Sequence, residues 1–105
     1  MSTFYLKRND TSPSIIYDLS TSDGPVNLTG ASVRFYMDDV VDAEADVLDA
    51  DAGRVEYVWQ EGDSSRSGVY RAEWEVVFAD GTKQTFPNDS YIRVRVVPDL
   101  GEPDA

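Results

Sequence analysis

Apolar and polar residues alternate with a period of two along most of this chain. The pattern is clearest in VYRAEWEVVFA, residues 69–79, where Tyr70, Ala72, Trp74, Val76 and Phe78 share one parity. Arg71, Glu73 and Glu75 take the other parity. A period of two places one face on a core and the other in water, so the segment predicts a half-buried strand. Asp80-Gly81 readily accepts positive φ and predicts a hairpin reversal into a second strand, Thr82 to Phe86. Pro87 cannot donate to a ladder and ends that strand. In YIRVRVV, residues 91–97, Ile92, Val94 and Val96 face inward while Arg93 and Arg95 face outward.

Earlier segments repeat the period. Arg54 to Trp59 carries Val55, Tyr57 and Trp59 on one side, and Ser32 to Met37 carries Val33, Phe35 and Met37. Phe4 to Lys7 and Ser14 to Leu19 read as shorter strands parted by the turn-rich NDTSP. Residues 20–31, with a second Asp-Gly and then Leu28-Thr29-Gly30, read as a loop with one apolar anchor. Residues 40–53, VVDAEADVLDADAG, carry two periods at once. Val41, Ala45 and Leu48 fit a helix, whereas Val41, Ala43, Ala45 and Val47 alternate with acids as in a strand. Asp is a poor helix-interior residue, which favours an extended or edge strand whose acids discourage edge-to-edge pairing. About seven short strands with turn signals between them predict an all-β fold, an antiparallel immunoglobulin-like β-sandwich. A single domain is expected over 1–97, with a flexible acidic tail over 98–105.

Composition narrows the function classes. A chain of 105 residues suits one domain with one modest core. Its net charge of −11, from 20 acidic against 9 basic residues, argues against nucleic acid or an anionic membrane as partner. Acidic excess fits a soluble surface, a saline environment or a basic partner surface. Cysteine and histidine are absent, which removes disulfides, thiolate metal sites, Cys nucleophiles and a Ser-His-Asp triad. No apolar run approaches the roughly 20 residues that span a bilayer. Met1 to Arg8 has no signal-peptide core, so synthesis in a cytoplasm is expected.

Candidate chemistry is sparse. Asp38, Asp39, Asp42, Glu44, Asp46, Asp49 and Asp51 invite a calcium hypothesis, but an EF-hand loop begun at Asp49 places Gly53 at position 5 and Gln60 at position 12. The match fails, and a solvated acidic edge is the expectation. Glu73 and Glu75 lie roughly 7 Å apart on one strand face by strand geometry. With Arg71, Arg93 and Arg95 near, cross-strand ion pairing is favoured over paired-carboxylate catalysis. Ser64, Ser65 and Ser67 have no histidine to act as base. The sequons at Asn9, Asn27 and Asn88 read as products of turn-rich loops. The stretch FADGTKQTFPND, residues 78–89, reads as turn chemistry followed by a strand stop, with Phe86 anchoring the loop. No catalytic, cofactor-binding or metal-ligating residue is predicted.

Five separated blocks add a resemblance: RNDTSPSIIYDL, VNLTGASVRFYM, AGRVEYVWQ, the run GDSSRSGVYRAEWEVVFADG, and TFPNDSYIRVRV. Over residues 7–97 the chain resembles the BppU N-terminal-type domain, a family of phage baseplate upper proteins and similar small tailed-virus proteins. The resemblance implies a β-sandwich module of virions with no catalytic residues. It implies other virion proteins of tail, baseplate or capsid as partners, a homo-oligomeric or multi-copy arrangement, and location in the virion. In that family further sequence follows the domain, whereas this sequence stops at Ala105, which leads us to expect a free-standing baseplate, tail or head-decoration accessory. The alternative is a carbohydrate- or receptor-binding module, with Tyr36, Tyr91 or Trp59 as an aromatic platform.

Overall fold

A computed structural model describes residues 3–101. Ten strands, and no helix, occur among them: β1 (Thr3–Lys7), β2 (Ile15–Asp18), β3 (Ser20–Thr21), β4 (Gly24–Pro25), β5 (Ser32–Met37), β6 (Val41–Asp49), β7 (Arg54–Tyr57), β8 (Gly68–Val77), β9 (Lys83–Phe86) and β10 (Ile92–Val97). The all-β expectation holds. The strand number exceeds the expected seven, partly because Ser22-Asp23 reverses the chain tightly enough to close a two-residue ladder between β3 and β4. Of the expected tail, residues 102–105 lie outside the described residues, and the Asp99 carboxylate sits 3.9 Å from the Arg8 guanidinium.

Eight strands form one sheet in the order β1-β10-β8-β5-β6-β7-β2, with β9 added to β8. The sheet curls until it is nearly closed into a barrel. Neighbours are antiparallel except β1, which runs parallel to β10. The turn in the sheet is made by β6. Its first half, Val41 to Ala45, pairs with β5, and its second half pairs with β7 across an irregularity between Val47 and Asp49. A bulge of this kind bends a strand and raises its twist, which lets one strand serve both walls. Strand periodicity therefore wins over the helical spacing in 40–53: Asp42, Glu44 and Asp46 point to water and Ala43 and Ala45 pack against the core.

Along β8, β5 takes one flank while β10 and β9 take the other in succession. Ile92 to Val96 pairs with Ala72 to Gly68, and Phe86 to Lys83 pairs with Trp74 to Val77. The Pro87–Tyr91 segment thus connects two strands that continue one another beside β8. Between the walls lies an aromatic core. Phe35, fully buried, stands 4.7 Å from Trp74, 4.9 Å from Tyr57 and 5.8 Å from Trp59, ring centre to ring centre. Phe4 reaches Trp59 from β1, and Tyr17 stacks on Trp74 from β2. The alternating positions read from the sequence between Val33 and Val96 supply much of the remaining core, and Leu6, Ile15, Leu19, Val26 and Leu28 complete it.

Candidate functional site

The near-closure of the sheet leaves one side open, and there β2 and the end of β9 form the two lips of a groove of about 950 Å³. One wall carries Ile16, Asp18 and Leu48, and the other carries Pro87, Asn88 and Asp89. Phe86 forms part of the lining and is itself buried, anchored opposite Trp74. Ile16 and Leu48 are half-exposed, at 50% and 48%, so the groove presents apolar surface to water. Asp18 accepts from Arg54 at 2.8 and 3.1 Å in a two-pronged pair on the same wall. That pairing holds the Asp18 carboxyl below its ordinary range, chiefly through the hydrogen bond from Arg54.

The stretch 78–89 divides into two parts. At its start the turn expectation holds: Gly81 has φ +88°, its N–H donates to the Phe78 carbonyl, and Asp80 accepts from the Thr82 hydroxyl at 2.7 Å. Those bonds lower the Asp80 pKa, the Thr82 hydroxyl most. At its end the turn reading is incomplete, because Pro87 to Asp89 supply a groove wall. The Asn88 amide donates to the Thr85 carbonyl at 2.9 Å, which fixes the loop beside β9.

The acidic cluster disperses along the strands. Asp38 receives the Arg71 Nε, Nη2 and backbone N–H at 3.0, 3.1 and 2.9 Å, and its pKa is lowered, mainly by the guanidinium. Asp42 receives Arg34 at 2.7 Å, and Asp49 accepts from the Ala52 N–H within a turn. Among the described residues no three acidic side chains converge to share a metal ion. Glu73 and Glu75 lie on one face of β8 as expected, but the cation assigned to them goes elsewhere. Arg71 turns to Asp38 and lies 5.1 Å over the Tyr91 ring, while Glu75 accepts from the Tyr36 hydroxyl at 3.4 Å. Register accounts for Arg71, which stands opposite the like-charged Arg93; Glu75 does stand opposite Arg34, but that guanidinium bonds Asp42 instead.

The other singled-out residues are structural. Ser64 is buried, donates to the Asp10 carbonyl at 2.7 Å, and its own carbonyl accepts from the Asn9 N–H, which ties two loops together. Trp59 is a core residue and no part of an exposed platform; Tyr36 is half-buried and Tyr91 is 46% exposed. Asn27 and Asn88 both make local turn bonds, and Asn9 adopts a positive φ of 70°. The structure adds a link no motif announced. Tyr57 donates to Asp63 at 2.6 Å, and burial first, then that bond, raises the phenol pKa.

No family model matches the chain, and no curated protein sequence matches it significantly. Among solved structures, the crystal structure of CopC from Methylosinus trichosporium OB3b is similar, with a TM-score of 0.49 and 15% identity over 93% of this chain and 86% of that chain. A likeness of that strength carries no inference about what this chain does.

Proposed function

We propose that this chain is a non-enzymatic structural module of a tailed virus, an immunoglobulin-like β-sandwich that acts through protein–protein contacts. The observation that carries the reading is the ordered set of five sequence blocks resembling the baseplate upper-protein domain. Those blocks supply the fold's hinges: GVYRAEWEVV is β8, the strand shared by β5, β9 and β10, and in FPND Phe86 ends β9 while Pro87 to Asp89 begin the link to β10. An aromatic core between two walls supports the sandwich part of the proposal. Ionisable side chains engaged with one another in pairs such as Asp38–Arg71 and Asp18–Arg54 support a building block over a catalyst.

Mass spectrometry of purified particles tests the assignment, since the chain must be found in them. The second reading, a carbohydrate- or receptor-binding module, draws on the open groove and on Tyr91. It loses Trp59 to the core, and a glycan array without hits would count against it.

A further inference from the structure

We propose that the groove between β2 and the 87–89 loop is a strand-docking site. Its occupant is an extended segment of another protein in which apolar and basic residues alternate. The backbone sets the first requirement. The Leu19 N–H donates to the Gly53 carbonyl at 2.8 Å, on the side where β2 meets β7. Successive residues of a strand point their N–H and C=O groups to opposite sides. Leu19, Tyr17 and Ile15 therefore face β7, and Ile16 and Asp18 direct theirs away from it, toward the groove. Ladder pairing of β2 among the described residues is to β7 alone, so this edge is open to a further strand.

Side chains set the rest. Tyr17 and Phe86 line the groove from the inner side and seat the partner's apolar residues, whereas Ile16 and Leu48 share the outer face with Asp18 and pack on the stems of its basic residues. Charge decides the partner's sign: Asp18 and Asp89 line the groove, Asp49 lies close enough to act on Arg54, and Arg54 is the one cation against these three carboxylates. On a chain of net charge −11, a second copy brings more repulsion, whereas a basic strand complements both the groove and the whole molecule. At roughly 3.3 Å per residue on both strands, the four residues of β2 match a segment of about four. The inference goes beyond the virion assignment and stands without it.

The test is an amide-resolved NMR titration of the full chain with a synthetic peptide of about seven residues alternating Val and Lys. A matched peptide with Glu in place of Lys is titrated in parallel. The Val-Lys peptide is expected to move the amides of Ile16, Asp18, Asn88 and Asp89, to slow exchange at Ile16, and to weaken several-fold at about 0.5 M salt. Ile16→Pro removes the groove-facing N–H while leaving those that face β7, and is expected to abolish the response. Should Ile16→Pro fail to fold, Asp89→Lys carries the test, with several-fold weaker binding of the Val-Lys peptide. The proposal is overturned if the peptide moves amides elsewhere or nowhere, or if the Glu peptide binds equally well. Concentration-dependent shifts at Ile16 without peptide also overturn it, because they identify a second copy as the occupant.

Discussion

Replacing Phe35 by Ala should bring the domain to the edge of unfolding. Phe35 is at 0% exposure and touches the rings of Trp74, Tyr57 and Trp59, so it joins β5 and β8 to β7 across the interior. Phe→Ala truncations in cores cost about 3–5 kcal/mol from lost transfer energy and the residual cavity. Each aromatic pair adds roughly 0.5–1.5 kcal/mol beyond area burial, and three are lost, which puts this site near the upper end, at about 5 kcal/mol. Domains of this size have total stabilities of roughly 5–15 kcal/mol. Denaturant unfolding followed by tryptophan fluorescence reads the effect directly, because both tryptophans are Phe35 neighbours. In a thermal melt, Tm should fall by roughly 4–8 °C for each kcal/mol lost. Leu100→Ala, at a fully exposed position, is the control and should stay within about 0.5 kcal/mol of the parent. A Phe35→Ala loss below about 2 kcal/mol would refute the view that one aromatic cluster holds the two walls together.

Gly53 has φ +69°, and a Cβ there would meet the Leu19 carbonyl oxygen at 2.4 Å and that of Val26 at 2.9 Å. Gly53→Ala should therefore destabilise far more than Gly81→Ala, where a Cβ meets open space and only backbone strain of about 1–2 kcal/mol remains; paired denaturation curves check the order. Asp63→Ala strips the buried Tyr57 hydroxyl of its acceptor and should cost about 1–3 kcal/mol by the same assay. In an alkaline absorbance titration of the parent, Tyr57 should be the last tyrosine to ionise, and its ionisation should coincide with unfolding. Arg71→Gln should destabilise at neutral pH, with the gap narrowing as pH falls. The Asp38 carboxyl is held below its ordinary 3.8 by Arg71, so its contribution is full above that value and is lost as pH drops through the lowered pKa. Unfolding midpoints of parent and variant at neutral pH and near pH 3 read that gap.

Strand positions were legible wherever alternation was strict. VYRAEWEV and IRVRV declare their inward faces because a pleated strand allows only two, and Trp74, Val94 and their neighbours are buried accordingly. Residues 40–53 were legible as a strand by their alternating acids, but not as the strand that turns the sheet. That role depends on which residues β5 and β7 offer as partners, a non-local matter. Pairing partners were hidden for the same reason: nothing near Arg71 in sequence points to Asp38, 33 residues earlier, as its acceptor. The groove was invisible because it is a gap between edges, and edges exist only once the strand order is set. Its signals in the sequence were faint: Ile16 and Leu48 are apolar residues that the strand period leaves on the outer face. Trp59 shows the converse. Its parity already placed it inside with Val55 and Tyr57, and the structure keeps it there.

The most direct measurement is quantitative mass spectrometry of purified tailed-virus particles released by cells that carry the gene, with the soluble lysate as reference. A structural module must co-purify with intact particles, in fixed proportion to a tail or capsid protein, through successive density gradients. Recovery of the chain only in the soluble fraction, with particles complete without it, would contradict the proposal.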